Sequence, residues 1–269
     1  MISKYNNKGV TWIDLEDPSE EEFHYIIDLY SIPRVIEEEM RTRNKDVKTK
    51  LIAGFISTSF DFPQILDIEN RVISRKIIFI IHKDFICTIH DKHMEALSEF
   101  LKNLEVDSSL DEKLNILDNG SLFYYLVKSL YVSLSDQIIE NGICNKDIEN
   151  QIIEGKNRKL SEPLYLKNQM LINLKESISS HEKTFKNLPV FLIQLFGDRF
   201  KYYLNIMKDN LFDVTSLVIR QEKNINSLHN TYNLILTDRN NQKIKNLTTL
   251  IIISLALSVL TFLYVFFNI

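Results

Sequence analysis

The chain has 269 residues, of which 45% are hydrophobic, 25% charged and 10% aromatic, and its formal net charge is −4. That composition is ordinary globular protein with room for one large domain or two small ones. The acidic balance, with no basic stripe interleaved with aromatics, excludes a nucleic-acid binder. Two cysteines, Cys87 and Cys144, make no disulfide framework and suit a reducing compartment.

In chain order, Val10 to Leu15 alternates like a strand, and the period changes at Asp17-Pro18-Ser19 to the helical spacing of Phe23, Ile26, Ile27 and Tyr30. Ser19 with Glu22 three residues on predicts a capping box. A second short helix is expected after Pro33, through Arg34 to Met40. The apolar, β-branched runs at residues 51–60, 72–81 and 85–89 read as strands of one sheet, the last two joined as a hairpin across Lys83-Asp84. Helical patterns follow at residues 94–104, at 122–154 behind Asp118-Asn-Gly-Ser121, and from Pro163 through Ile178, with Asn187-Leu-Pro189 and Gly197 expected to interrupt the last.

After Gly197 neither proline nor glycine recurs, so one helix can run from Phe200 to the end, roughly 100 Å at 1.5 Å per residue. Leu204, Met207, Leu211, Val214, Val218, Gln221, Ile225, Leu228, Tyr232 and Ile235 stand alternately three and four apart, and only Gln221 is polar. This seam fits a coiled coil between copies or a helix packed in a single-chain bundle. Its continuity into a membrane helix favours self-association.

Residues 247–269 carry no charge, proline or glycine. They cover roughly 34 Å, enough for a bilayer core of roughly 30 Å; a buried core helix is the competing reading, but such helices seldom stay apolar on every face. Arg239, Lys243 and Lys245 crowd the near side, so the positive-inside rule keeps residues 1–246 cytoplasmic. The expectation is a single-pass protein of the cell membrane with a cytoplasmic N-terminus. The fold class is α+β: an N-terminal α/β domain over 1–118, long antiparallel helices over 119–199, a stalk helix over 200–246 and a transmembrane helix over 247–269.

Two motifs carry a family resemblance. Thr11-Trp-Ile-Asp-Leu-Glu-Asp-Pro18 and Asn241-Gln-Lys-Ile-Lys-Asn-Leu-Thr248 are similar to the opening strand and to the N-x-x-M-K-x-L-T stretch at the membrane boundary of CorA-type magnesium transporters. The resemblance covers essentially the whole chain. It implies a homo-oligomer, a pentamer, set in a lipid bilayer, with Mg2+ as the transported or regulatory ion. On matching positions, Asn241, Lys245, Leu247 and Thr248 form the membrane-boundary motif. Asn241, Ile244, Leu247, Ile251, Leu255 and Ser258 would line a central pore, with Ile244 and Leu247 as an apolar constriction that gates by dewetting.

The family goes on to a second transmembrane helix, and the expectation here is a divergent member without it; the sequence departs from the family at other places as well. Val265-Phe266-Phe267 stands where the family has Gly-Met-Asn, Ala256 replaces a mid-helix proline, and Asn230 occupies an acidic position of an L-x-D-x-Y stretch. A conducting channel, a non-conducting membrane-anchored structural or regulatory homologue, and a truncated reading of a longer gene all remain compatible with these residues. Close helix packing is the competing role for Ser254, Ser258 and Thr261, and lipid exposure for Ile244 and Leu247. Glu20-Glu-Glu22 and Glu37-Glu-Glu39 suit cation sensing or plain solvent-facing helix starts. His82, His90 and His93 lack the further ligands of a zinc site. No nucleophile motif, P-loop or dinucleotide fingerprint is present, so enzymatic function is not expected.

Overall fold

The computed structural model describes residues 1–41, 48–66, 71–106, 116, 118–154 and 160–267. A six-stranded sheet in the order β1-β2-β6-β5-β4-β3 forms the N-terminal layer. Its strands are β1 (Ile2–Asn7), β2 (Val10–Glu16), β3 (Lys50–Ile52), β4 (Phe55–Leu66), β5 (Arg71–Ile81) and β6 (Ile86–His90). The central pair β2 and β6 is parallel, and every other pairing is antiparallel.

Two tight hairpins were not legible as such. β1 turns into β2 through Lys8 and Gly9, with φ of 48° and 84°, and β3 turns into β4 through Ala53 and Gly54, with φ of 51° and 85°. Both central residues of a two-residue type I′ turn need positive φ, which glycine adopts without penalty. The single strand expected over 51–60 is therefore two strands, and β1 is an additional edge.

The helices are α1 (Glu20–Tyr30), α2 (Arg34–Arg41), α3 (Glu95–Val106), α4 (Asn119–Glu154), α5 (Ser161–Phe196) and α6 (Phe200–Phe267). The capping box forms as expected: Glu22 N–H donates to Ser19 Oγ at 3.2 Å, and Ser19 N–H donates to the Glu22 carboxylate at 2.9 Å. At the start of α4, Ser121 N–H donates to Asp118 Oδ1 at 2.8 Å. Pro189 does not interrupt α5, which runs on to Phe196 and ends at Gly197. One missing backbone bond is tolerated because Leu188 and Leu192, on either side of the proline, are fully buried.

Side chains alternate across the sheet. Ile13, Leu15, Ile78 and Ile80 face α1 and α2, where they meet Phe23, Ile26, Ile27 and Ile36. Trp12, Ile77, Phe79, Ile81 and Ile86 face the other way and join one continuous core with α3, α4, α5 and the upper half of α6. Asn119 ties this face together: its Oδ1 accepts from Thr11 N–H at 2.9 Å and its Nδ2 donates to the Lys83 carbonyl at 2.8 Å.

Two histidines are buried, His181 on α5 against β4 and His90 at the end of β6. His181 on α5 is fully buried; its Nδ1 accepts from Tyr131 Oη at 2.8 Å, and its Nε2 donates to the Asp61 carbonyl at 3.0 Å. Burial holds it neutral, with a pKa lowered to about 4. His90 at the end of β6 meets Asp14 at 3.1 Å and the Lys92 carbonyl at 2.7 Å. Burial opposes its charge, but the hydrogen bond and charge of Asp14 outweigh that and raise its pKa.

The long edge of β4 is also closed from the helices. β3 covers only residues 55–57 of it. Beyond, Thr184 Oγ1 donates to the Ser59 carbonyl at 3.2 Å, His181 to the Asp61 carbonyl, and Ile65 N–H to Gln137 Oε1 at 2.9 Å.

Candidate ion-path helix

α6 changes surroundings along its length. Leu204, Met207, Leu211, Val214, Val218 and Ile225 are buried, packed against α4 and α5. Tyr232, with Leu228 and Ile235 beside it, closes a smaller cluster with Ile148, Ile152, Leu160 and Leu164. α4 and α6 run parallel, since Tyr124 stacks near Tyr203 at 4.7 Å and Asn145 meets Gln221 further along. α5 is antiparallel to both, with Lys167 on Asn141 and Lys175 on Glu222.

The seam is thus filled within one chain. This corrects the expectation that it joins copies: two helices of the same chain reach it first, and they bury it with none of the entropy cost of association.

Beyond Leu236 no described residue of α6 belongs to the hydrophobic clusters. Every residue from 241 to 265 is exposed, and Ile244, Leu247, Ile251 and Leu255 are 58 to 65% open. Among the described residues one helix is long and apolar enough to cross a membrane; its most apolar window has a mean hydropathy of 2.2 and is 0% buried. The last two residues of the expected transmembrane segment, Asn268 and Ile269, lie outside the described residues.

The structure keeps the predicted pore residues on one helix and one face. At about 100° per residue, Asn241, Ile244, Leu247, Ile251, Leu255 and Ser258 share an arc of about 120°. Thr248 falls in that arc, whereas Lys245 lies at its flank. The membrane-proximal hydroxyls are satisfied by their own helix: Thr248 donates to the Ile244 carbonyl at 2.9 Å, Ser254 to Ile251 at 2.8 Å, Ser258 to Leu255 at 2.8 Å and Thr261 to Ser258 at 2.8 Å. Their protons are engaged, so these oxygens face outward as acceptors only.

The same arc continues above the membrane boundary, which the sequence reading had not singled out. Asn226, Asn230, Asn233 and Thr237 are exposed and extend it, four, three and four residues apart. No Asp, Glu, Lys or Arg occurs from residue 224 to 237. The signal was present as a run of asparagines at helical spacing, but it becomes a face only once the buried side of α6 is known.

The other candidates have separate partners. His82 stacks on Phe55 at 4.5 Å, His90 pairs with Asp14, and exposed His93 meets Glu16 at 3.2 Å. Among the described residues no cluster of three or more His, Cys, Asp or Glu side chains is arranged to hold a metal. Glu20 and Glu37 pair with Arg41, and Glu22 serves the α1 cap.

A sheet covered by helices and a three-helix bundle whose longest member, α6, runs on as an exposed apolar helix define a membrane-associated protein. The family profile described as CorA-like Mg2+ transporter protein matches residues 7–264, and the chain belongs to that family. The complete CorA magnesium transporter from Methanocaldococcus jannaschii is similar at 16% identity, with a TM-score of 0.73 over 91% of this chain and 75% of that one. Its soluble domain gives 14% identity and a TM-score of 0.69 over 82% of this chain and 87% of that one. The full-length CmaX protein is similar at 13% identity and a TM-score of 0.69, over 87% of this chain and 71% of that one. These likenesses establish the fold. No curated protein sequence matches significantly.

Proposed function

We propose that the chain is one subunit of a homo-oligomeric divalent-cation channel of the cell membrane, five subunits around an axis, with Mg2+ as the transported ion and residues 1–246 on the cytoplasmic side. The observation that carries the reading is the division of α6. Its inner face is filled by its own chain as far as Tyr232, and an uncharged outer face then runs unbroken into the membrane within the region that matches the family.

Mg2+ holds its water shell tightly, so a path for it offers acceptors to the hydrogens of that shell. Asn226, Asn230, Asn233, Thr237 and Asn241 supply amide and hydroxyl oxygens on the approach. Ile244 and Leu247 form the dewetting constriction, and Thr248 and Ser258, their protons already engaged, present lone pairs beyond it. Arg239 falls on the far side of the helix and Lys243, like Lys245, at a flank of the arc, level with lipid headgroups.

Reconstituted chain in liposomes loaded with a Mg2+-sensitive dye should show flux above empty vesicles. No flux at any internal Mg2+ concentration overturns the reading. Val265-Phe266-Phe267 favours a second one, a non-conducting membrane-anchored homologue, because apolar rings offer a hydrated ion nothing at the outer mouth. That version requires a conducting partner to co-purify, and cellular Mg2+ unchanged on deletion.

A further inference from the structure

Gln221 is the single polar position in the seam of α6, and no part of the ion path uses it. Its Oε1 accepts from Asn145 Nδ2 at 3.2 Å. It also occupies a notch at Gly142, where a Cβ would stand 2.9 Å from Gln221 Cδ, closer than real Cβ contacts allow. One turn before Asn145, Asn141 Oδ1 accepts from Lys167 Nζ of α5 at 3.0 Å. Asn141, Asn145 and Lys167 are 3%, 7% and 5% exposed, and Asn145 Oδ1 has no hydrogen-bond partner. One polar layer therefore joins all three helices, with buried Ile138 and Ile148 on α4 and Val218 and Ile225 on α6 to either side.

Apolar side chains recurring every three or four residues define a face without fixing where along it a helix stops. A slide of one turn, about 5.4 Å, exchanges apolar neighbours for apolar neighbours along most of α6. Gln221 is the exception inside the three-helix core; nearer its end, Tyr232 Oη accepts from the Leu160 N–H at 3.3 Å. A slide toward the end of α4 brings its amide level with Ile148, unpaired in an apolar layer. A slide the other way lifts it off the glycine notch and onto Asn141, which Lys167 already holds. A layer with an orphaned acceptor is less stable than a leucine layer would be, and buried polar positions of this kind can fix register in helical assemblies.

We propose that the Asn141–Asn145–Lys167–Gln221 layer, keyed into Gly142, is a register lock that holds α6 at one longitudinal position against α4 and α5. Any movement passed from the sheet domain to the membrane segment is then a tilt of the bundle and not a slide of α6. The lock is a property of one chain; only its consequence for the membrane segment rests on the transport reading.

The test needs no transport. Spin labels go on Lys175 and Glu222, which meet across α5 and α6 at 2.9 Å, in full-length solubilised chain with Cys87 and Cys144 replaced by alanine and diluted with unlabelled chain. The parent should give one narrow distance. The pair Asn145→Leu with Gln221→Leu should give a split or broadened distribution with a melting temperature at or above the parent's, and Gly142→Ala, which expels the amide from its notch, should split it as well. A parent that is already split overturns the lock, and so does a folded variant that keeps the single distance. If the leucine pair fails to fold, Gly142→Ala decides alone.

Discussion

Between Leu204 and Tyr232, α6 carries most of its apolar residues on one face and buries them in its own chain, with Phe212 and Ile219 left exposed; between Asn241 and Val265 it carries them all round and buries none. The two stretches are made of the same leucines, isoleucines and valines. Their distribution around the circumference decides the neighbour. A narrow stripe is satisfied by two helices, whereas an apolar surface on every side can be covered only by lipid or by other transmembrane helices.

The sharpest way to break that comparison is a charge. Leu211→Asp should destabilise the solubilised chain by about 4 kcal/mol, because an unpaired carboxylate enters a closed core. Denaturant unfolding checks this, and the loss should appear as unfolding of each chain. Clean dissociation into folded monomers would return the seam to an interface between copies. The same change of side chain in both halves gives a milder contrast: Leu204→Ala should cost about 3 kcal/mol, and Leu250→Ala less than about 0.5 kcal/mol in the same transition. Equal effects would erase the distinction.

Acid should separate the halves differently, since residues 246–265 contain no carboxylate, amine or imidazole. His181 has a folded pKa near 4 against 6.5 for the free group. The unfolded chain therefore takes up a proton that the folded chain refuses, and stability falls as pH drops from about 6.5 toward 4, by about 3 kcal/mol at the limit. His90 acts with the opposite sign. Its pKa is raised, so its contribution is complete below 6.5 and is lost as pH rises through the raised value. Thermal melts across pH should show a steep acid limb that His181→Gln flattens; an unchanged limb would remove His181 as its cause.

The smallest effects belong to the exposed face. Leu247→Ala should raise Mg2+ flux in liposomes several-fold by widening the dewetting constriction, with the bundle's unfolding unchanged. Asn230→Asp places a carboxylate on each copy and should raise flux two- to three-fold at low salt, roughly, with the gain fading as ionic strength screens it. A gain that persists in high salt would argue that the residue acts by shape and not by charge.

Local chemistry was legible in the sequence wherever it was self-contained. Ser19 and Glu22 announce their own cap, Asp118 and Ser121 announce the start of α4, and the all-round apolarity after residue 246 needs no partner to be read. What failed was whatever depended on distant segments. The Lys8-Gly9 and Ala53-Gly54 turns are short enough to vanish into neighbouring β patterns, and Pro189 looks like a stop until Leu188 and Leu192 are seen holding α5 in place. The seam was recognised as a seam, yet its occupants lie up to about 80 residues away in the chain, and spacing says nothing about which helix arrives first. The asparagine face escaped for the same reason, since it is defined by what the opposite side of α6 buries.

The closure of β4 has a consequence for how copies can meet. A strand of 12 residues that is paired on one side and only briefly on the other is an open template for another chain. Here His181 and Thr184 occupy two of its carbonyls, Gln137 takes the Ile65 amide, and Pro63 offers no amide at all. A second copy approaching that edge finds no ladder to extend. Self-recognition is thereby turned away from this edge of the sheet, and the crowding of copies in one membrane plane does not become a route to fibrils along it.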